Sequence, residues 1–314
     1  MNKEIKVKIE NLENKLNRFR EFSNENDLDL SDEIKYIELE LSLLREHEYE
    51  NMNPWDRVNI ARMKERPTAL DYINEIFEGF IELHGDRLYG DDPAMVGGIA
   101  YFNGKPITVI GHQKGKDTKD NLKRNFGMAN PEGYRKALRL MKQAEKFGRP
   151  VVTFVDTPGA YCGLGAEERG QGEAIARNLL EMSGLNVPII VFVIGEGGSG
   201  GALGLSIGDR IYMLENSIYS VISPEGLSSI LWGDASLVEK AANIMKLTAK
   251  NLKKLGIIEG VIKEAAGGAH KDISLVANQM KEILKSELNL LSSYESDELL
   301  DKRYEKYRSI GRTI

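Results

Sequence analysis

The run GEGGSGGALG at 195–204 could do chemistry through its backbone, because six of its ten residues are glycine. Without a Cβ, the backbone can adopt positive φ and a ligand can approach its N–H groups closely. If a helix begins near Gly200, the N–H groups of its first turn are unpaired and can bind an anion or a developing oxyanion. A tight turn with close strand–helix packing explains one or two such glycines, but not this density.

Two familiar motifs overlap on the same run. Gly195, Gly197 and Gly200 match the dinucleotide fingerprint GxGxxG, and Glu215 follows at about the spacing of a ribose-binding acid. Against this interpretation, fewer than about two helical turns separate the loop from Gly208, which is too short for a dinucleotide-binding crossover helix.

The second motif is the nucleophile elbow GxSxG, with Ser199 as the nucleophile. Asp209 or Asp234, and then His270, follow in the chain order of an α/β-hydrolase triad. Glycines this abundant produce such patterns by chance, and the sequence around His270 does not mark a triad. A third interpretation needs no side-chain nucleophile: the adjacent N–H groups of Gly200 and Gly201 form an oxyanion hole. Physical chemistry favours this third interpretation.

Composition restricts the class of protein. The 314 residues carry a formal charge of −6, which argues against a nucleic-acid partner. The single cysteine excludes an internal disulfide, and the four histidines are too scattered to suggest a metal site in this chain. No segment has the composition of a secretory signal or a membrane span. We therefore expect a soluble, cytoplasmic protein without a membrane partner.

The chain divides by composition into two predicted parts. Residues 1–52 are predicted to form a helical hairpin that packs on the main body or on a partner. Apolar residues follow one stripe of each helix: Ile5, Ile9, Leu12, Leu16 and Phe19, then Ile34, Ile37, Leu41 and Leu44. A polar loop is expected at 23–30, with Ser31 as the N-cap of the second helix. Residues 53–314 are predicted to form one large domain.

Within the large domain, the pattern indicates an α/β fold. A helix is expected at 69–83, begun by the pair Thr68 and Asp71 and ended at Gly85. A hairpin with an Asn103-Gly104 turn follows, and then a helix over 130–147. Apolar strands at 151–156, 188–194, 211–214 and 218–222 alternate with further helices. Buried strands that alternate with helices indicate a sheet of mostly parallel strands.

Several longer runs carry a specific resemblance. The chain resembles the alpha subunit of bacterial acetyl-CoA carboxylase carboxyltransferases over most of its length. The matching segments are LHGDR (83–87), IGHQKG (110–115), RNFGM (124–128), PEGYRKALRLM (131–141), DTPGAY (156–161), GAEERGQ (165–171), the glycine run (195–204), YSVISPEG (219–226) and GGAH (267–270).

This resemblance implies a crotonase-like fold, a spiral of repeated ββα units behind an N-terminal helical hairpin. It implies transfer of the carboxyl group from carboxybiotin on a biotin carboxyl carrier protein to acetyl-CoA, giving malonyl-CoA for fatty acid synthesis. The implied partners are a carboxyltransferase beta subunit in an α2β2 complex, the carrier protein and biotin carboxylase. No group is expected to be bound covalently to this chain, and zinc is expected only on the beta subunit. The active site is shared between the two subunits.

The resemblance also implies roles for individual residues. The N–H groups of Gly200 and Gly201 would hold the ureido oxygen of biotin as the carboxyl group leaves. Gly197 and Gly198 would shape the approach to that site. The same pocket would be lined by Gly159, Ala160 and Tyr161, although the Tyr161 ring could equally serve packing.

Two features depart from this pattern or are not explained by it. Cys162 stands where the family usually has proline, and losing the fixed φ of proline would loosen the pocket rim. The mechanism requires no catalytic thiol at this position. Lys114, Lys116, Lys119, Lys123 and Arg124 form a basic run, interpreted as a solvated surface rather than as a contact to CoA phosphates or to a partner.

Two rival functions remain open from the sequence. A hydratase or isomerase of the same fold would act on acyl-CoA alone and would need a pair of carboxylates near the thioester. A purely structural subunit would leave all of the chemistry to its partner.

Overall fold

The computed structural model describes residues 3–26 and 29–312. The helices in these ranges are α1 (Lys3–Asn26), α2 (Ser31–Glu50), α3 (Pro54–Ala61), α4 (Ala69–Ile76), α5 (Thr118–Lys123), α6 (Pro131–Lys146), α7 (Leu164–Glu168), α8 (Gln171–Ser183), α9 (Ser199–Leu203), α10 (Pro224–Trp232), α11 (Val238–Met245), α12 (Ala249–Lys254), α13 (Ile273–Leu291) and α14 (Ser296–Ser309). The strands are β1 (Glu78–Glu82), β2 (Met95–Phe102), β3 (Lys105–His112), β4 (Val151–Thr157), β5 (Ile189–Gly198), β6 (Arg210–Leu214), β7 (Ile218–Ser220) and β8 (Gly260–Ile262). No helix in the described ranges is long and apolar enough to cross a membrane.

The strands form one mixed sheet in the order β1-β2-β3-β4-β5-β6-β8. β1, β2 and β3 are antiparallel, and the strands from β3 to β8 are parallel. β5 is the longest strand and has two partners on one side: β6 pairs with its first half and β7 with its last three residues. The expectation of a mostly parallel α/β sheet is therefore confirmed.

Alternate residues of the central strands enter two separate cores. On β5, Val191 and Val193 face one core, whereas Ile190, Phe192 and Ile194 face the other. Helices α6, α8 and α12 cover the first core, and α4 and α13 cover the second. Because both faces of β5 are buried, its sequence is a continuous apolar run rather than an alternating one.

The two N-terminal helices pack on each other through a small core of their own. This core contains Ile9, Leu16, Ile37 and Leu41, with Leu12, Phe19, Ile34 and Leu44 partly buried around it. The side chain of Ile5 lies outside the described residues. At the end of α2, the buried Tyr49 hydroxyl accepts a hydrogen bond from the Asn216 side chain of the main body. The division at residue 52 stays a prediction.

Several local expectations are confirmed. The hairpin turn has positive φ at Asn103 (49°) and Gly104 (74°), as a type I′ turn requires. A capping box formed by Thr68 and Asp71 begins α4. Pro131 begins α6, and Gly148 follows the helix end with a φ of 64°.

The helix predicted at 69–83 is wrong in its second half. α4 ends at Ile76, and β1 follows as an antiparallel edge strand on β2. Gly79 has a φ of 59°, which does not fit a continuing helix. The Phe77 ring packs between Phe102 and Phe154 in the second core. Tertiary pairing thus overrides helix propensity here, and Gly85 lies in the loop after the strand.

Boundaries near the N-terminus also differ from the expectation. α1 continues through Asn26, so 23–26 are helical rather than loop. Ser31 is the first residue of α2, and its N–H donates to the Asp29 carboxylate at 3.1 Å. Asp29 therefore takes the capping role expected of Ser31. Either oxygen-bearing side chain can cap, so composition alone does not separate the two.

The last helix, α14, is held to the sheet by a buried ion pair. The Arg303 guanidinium donates to both oxygens of Asp209, each at 2.8 Å. It also donates to the carbonyls of Met182, Leu185 and Val187. Arg303 is 1% exposed, so all of its partners come from the protein.

We expect Arg303→Met to lower the free energy of unfolding by about 3–5 kcal/mol, because it leaves the buried Asp209 carboxylate unpaired. Urea denaturation of the full chain measures this loss. The matched variant Lys302→Met changes a half-exposed lysine one residue earlier, whose carboxylate partner Glu298 is also exposed. It should cost less than about 1 kcal/mol. Equal losses in the two variants would contradict the assigned role of Arg303.

Candidate active site at the glycine loop

The glycine run lies at the carboxyl end of the central strand. Its first four residues, 195–198, belong to β5, because β7 pairs with Glu196, Gly197 and Gly198. The loop expected from Gly195 onward is therefore strand at first, and the chain turns directly into α9 at Ser199. The ends of parallel strands are the usual place for a site in such folds, so the expected location is retained.

Most glycines of the run are required by contacts within the protein. A Cβ at Gly198 would overlap the Pro158 carbonyl, and one at Gly201 would lie 2.5 Å from the Ala160 nitrogen. A Cβ at Gly204 would lie 2.8 Å from the Tyr134 ring. Gly200 differs, since its nearest neighbour would be the Ile175 side chain at an ordinary 3.8 Å. Close packing, rather than ligand approach, thus accounts for much of the glycine density.

The start of α9 leaves backbone donors unpaired. The N–H groups of Gly200 and Gly201 have no hydrogen-bond acceptor within 3–26 and 29–312. Ser199, just before them, has a φ of 51°, a left-handed conformation that turns the chain sharply. A helix of five residues has too few peptide units for a large macrodipole. Anion binding at this site therefore depends on direct hydrogen bonds from the two N–H groups rather than on a helix dipole.

Two cavities meet at this turn. The larger, of about 600 Å³, is lined by Gly200 and by mostly apolar side chains, among them Leu203, Ile207, Tyr219, Ile222 and Leu227. The smaller, of about 50 Å³, is lined by Gly197 and Gly198 together with Arg62, Pro158, Glu196 and Ser223. Ser199, Ser220 and Ile222 line both cavities. Gly201 is buried and lines neither, so Gly200 is the more accessible donor.

A network of charges lies under the loop. The Lys114 ammonium is 2.7 Å from Asp156 and 3.5 Å from Glu196. Glu196 is also 2.6 Å from Arg62, whose guanidinium continues to Glu225. Burial lowers the pKa of Lys114, but the two carboxylates outweigh it and raise the pKa above its ordinary value. The network fixes the ends of β3, β4 and β5 relative to one another.

This network corrects the interpretation of the basic run. Lys114 is partly buried and ion-paired rather than solvated, and Arg124 donates to Asp120 and to the Pro93 carbonyl. Lys116 pairs with Asp71 near the surface. Lys119 and Lys123 are exposed, as expected. Its position two residues after an apolar strand predicts that Lys114 lies at the carboxyl end of the sheet, but not that it pairs with Asp156.

A buried histidine lies close to the same loop. His112 is fully buried, and neither ring nitrogen has a hydrogen-bond partner within the described part of the chain. Its ring meets the Tyr134 ring edge-on at 6.3 Å, and the Tyr134 hydroxyl donates to the Gly201 carbonyl at 3.2 Å. Burial, followed by the nearby Lys114 charge, lowers the pKa of His112 to about 3, and the nearby Gly201 backbone opposes this shift only weakly. The ring is therefore neutral near pH 7.

The segment 159–161 borders the loop only in part. Gly159 and Ala160 contact the backbone at Gly201. The Tyr161 ring instead lies against Gly163, and its backbone N–H donates to the Ala129 carbonyl at 3.0 Å. None of the three lines either cavity, and Cys162 is exposed. Pro158, which the sequence reasoning missed, is the residue of this loop that lines a cavity.

The structure weakens both rival motifs. Asp209 accepts from the Ile189 N–H at the amino end of β5, roughly 30 Å along the strand from Ser199. Asp234 accepts from Ser236 at the start of a 3-10 turn. For the dinucleotide fingerprint, α9 is far too short and Glu215 faces Tyr49 and the Glu264 N–H. Neither a triad with Asp209 nor a dinucleotide crossover is formed.

The family described as "Acetyl co-enzyme A carboxylase carboxyltransferase-like" matches residues 2–311. Among curated relatives, a protein of Alkaliphilus oremlandii is 62% identical over 303 residues, covering 96% of both chains. One from Bacillus subtilis is 59% identical over 309 residues, covering 98% of this chain and 95% of the relative. Both are named acetyl-coenzyme A carboxylase carboxyl transferase subunit alpha.

Solved structures show the same fold at low sequence identity. Transcarboxylase 12S aligns with a TM-score of 0.55 at 21% identity, covering 69% of this chain and 41% of that one. The geranyl-CoA carboxylase beta subunit of P. aeruginosa gives 0.58 at 15% identity, covering 79% and 46%. A Pseudomonas malonate decarboxylase hetero-tetramer gives 0.56 at 16%, covering 68% and 86%. The expected crotonase-like fold is confirmed.

The close contact at Gly201 predicts different outcomes for two neighbouring substitutions. Gly201→Ala should lower the free energy of unfolding by about 1–3 kcal/mol, because the new Cβ is forced into the backbone of the 158–160 loop. Gly200→Ala should change it by less than about 1 kcal/mol, because the position is open. Chemical denaturation compares the two, and equal losses would show that the loops do not pack as described.

The buried His112 predicts a pH dependence of stability. Its pKa is about 3 in the folded chain and about 6.5 when unfolded, so only the unfolded chain gains this proton below pH 6.5. Stability from this group is present above pH 6.5 and is lost as the pH falls toward 3, by up to about 1.4 kcal/mol per pH unit. Urea unfolding at pH 7, 6 and 5 should show a shallower slope for His112→Gln. An unchanged slope would contradict the neutral buried ring.

Proposed function

The chain belongs to the acetyl-CoA carboxylase carboxyltransferase family, as its alpha subunit, and we propose from this membership that its glycine loop forms half of an active site. The reaction moves the carboxyl group from carboxybiotin to acetyl-CoA and gives malonyl-CoA. The family match spans residues 2–311, so the loop and its surroundings all lie within it. One observation supports the role of the loop: two unpaired backbone N–H groups begin α9, and one of them belongs to a residue lining an apolar cavity.

The donors of Gly200 and Gly201 fit the ureido oxygen of biotin. Carboxybiotin supplies the carboxyl group, and negative charge develops on that oxygen as the carboxyl group leaves. N–H groups fixed in place stabilise such charge without reorganisation, and each is worth about 10²–10³ in rate. The turn at Ser199 and the contact with the 158–160 loop hold these donors rigidly. Rigidity is what makes them effective.

The larger cavity fits the rest of biotin. Its volume of about 600 Å³ lies within the range of small-molecule sites, roughly 300–1,000 Å³. Its lining is mainly aliphatic, and its polar groups are Lys246, the tyrosines Tyr219 and Tyr307, and the hydroxyls of Ser199, Ser206 and Ser220. A fused ring with one polar urea end and an apolar sulfur-containing body matches a wall of this kind. Gly197 and Gly198, in the smaller cavity, shape the approach.

None of the described residues that line the larger cavity is a carboxylate or a histidine. The carboxylate at the loop, Glu196, is held by Arg62 and Lys114 and is not free to take a proton from acetyl-CoA. Large apolar side chains are also uncovered: Val221, which lines the cavity, is 82% exposed, and Ile230, on α10, is 73% exposed. Patches of this kind mark interaction surfaces. Both features support a second subunit that completes the site.

The members of this family are subunits of a multisubunit carboxyltransferase. We assign the partner as the beta subunit, in an α2β2 complex, with zinc on that subunit only. The biotin carboxyl carrier protein delivers carboxybiotin, and biotin carboxylase loads it. Acetyl-CoA is the acceptor, and the complex is cytoplasmic. Gly159 and Ala160 support the glycine loop from behind, whereas the Tyr161 ring packs on Gly163.

Reconstitution tests the shared site. The chain, the beta subunit and a biotinylated carrier are mixed, and malonyl-CoA-dependent carboxylation of the carrier is measured. We expect turnover from the mixture and none from either subunit alone. Full turnover by the beta subunit alone would leave this chain as a scaffold and would contradict the role of Gly200.

A serine substitution separates backbone from side-chain catalysis. In the assembled complex, Ser199→Ala should keep turnover within about tenfold, because the N–H groups rather than the hydroxyl act on biotin. Steady-state kinetics of the reconstituted complex measures this. A loss comparable with removal of a nucleophile, about 10⁴-fold or more, would restore Ser199 as the reacting group.

A further inference from the structure

A second cleft lies at the amino ends of the parallel strands, whereas the glycine loop lies at their carboxyl ends. It has a volume of about 550 Å³ and is lined by the turn after β2, the residues before β4 and β5, and the end of α13. Pro188 lines it immediately before β5, whereas the glycine loop follows the other end of that strand. The two sites are therefore roughly 30 Å apart along β5. This inference does not depend on the proposed function.

The cleft contains a buried arginine without a carboxylate partner. Arg149 is 8% exposed, and its guanidinium donates to neutral oxygens, at 3.1 Å to Thr108 and at 3.3 Å to Gln143. Within the described residues, the other buried arginines, Arg66 and Arg303, are each paired with a buried carboxylate. Because Arg149 lines the cleft and has no carboxylate partner among the described residues, its guanidinium is available to an anion from outside the chain.

The charge of the residues that line the cleft also favours an anionic ligand. Lys105 and Lys285 join Arg149 in the cleft, and none of its lining residues is acidic. The whole chain has more acidic than basic residues, 48 against 42, so a lining with only cations departs from its average. Both lysines are exposed, and neither forms an ion pair with another described side chain. Their ammonium groups are free to meet a ligand.

The rest of the lining indicates an apolar ligand body. Pro106, Phe147, Pro150, Leu288 and Tyr294 contribute to the wall. The Phe147 ring also lies 5.2 Å from the Arg149 guanidinium carbon, which orients the guanidinium plane. A guanidinium fork matches the oxygens of a carboxylate or a phosphate. The cleft thus combines an oxyanion subsite with an apolar wall.

We propose that this cleft binds a small organic oxyanion, a phosphate monoester or a carboxylate with an apolar body, through Arg149, Lys105 and Lys285. The oxyanion meets the Arg149 guanidinium, and the two exposed lysines of the lining add positive charge beside it. Burial lowers the pKa of Arg149, which agrees with a site that lacks its counter-charge.

Calorimetric titration of the full chain tests this site with hexyl phosphate, hexanoate and neutral hexanol as probes. We expect one or both anions to bind with a Kd below about 1 mM, which is about −4 kcal/mol, and hexanol to bind far more weakly. The anion that binds more tightly identifies the head group. If neither anion binds in this range, or if hexanol binds as tightly, the proposal is overturned.

Substitutions test whether Arg149, Lys105 and Lys285 bind the anion. Arg149→Gln should weaken anion binding by about tenfold or more, and Lys105→Glu and Lys285→Glu by about threefold or more each. Lys35→Glu, an exposed lysine of the N-terminal hairpin, should leave it unchanged. Urea denaturation reports whether Arg149→Gln still folds, and the two exposed lysine variants decide the outcome if it does not. Equal affinity in all four variants would overturn the proposal.

Discussion

The close approach of two backbone segments is the constraint on which the candidate site depends. Gly198 and Gly201 lie directly against the loop at 158–160, leaving no room for a Cβ at either position. This contact fixes the sharp turn at Ser199, where the chain passes from strand to helix with positive φ. Because the turn is fixed, the N–H groups at the start of α9 point in one direction and remain unpaired. The chemistry assigned to the loop follows from this packing rather than from any reactive side chain.

Hydrogen bonds and ion pairs beneath the glycine loop also hold it in place. Asp156 accepts from the Glu196 N–H at 2.9 Å and pairs with Lys114, so β3, β4 and β5 are joined at their carboxyl ends. A Cβ at Gly195 would overlap the Asp156 carboxylate, which explains one more glycine of the run. The buried Tyr134 hydroxyl holds the Gly201 carbonyl from the other side. An active site that uses backbone donors requires this kind of support, because main-chain positions cannot be adjusted by rotamer changes.

The sequence predicted those parts of the fold whose causes are local. The Asn103-Gly104 turn and the Thr68 capping box depend on neighbouring residues, and each is confirmed. The strands β2 to β6 were also predicted close to their observed bounds. The end of α4 was missed, because β1 exists only through pairing with a distant strand. For the site, the glycine run and its helix start were found, but the ion pair of Lys114 was not. An ion pair with Asp156, 42 positions later, has no local signature.

The central claim is that the N–H of Gly200 itself binds the ureido oxygen of biotin, with Gly201 beside it. Replacing Gly200 by glycolic acid exchanges one backbone amide for an ester and deletes that N–H without adding any atom to the loop. Turnover of the reconstituted complex with its beta subunit is then compared with that of the unmodified chain. The account predicts a fall of about 10²–10³ in kcat with unchanged assembly. Turnover equal to that of the unmodified complex would contradict it.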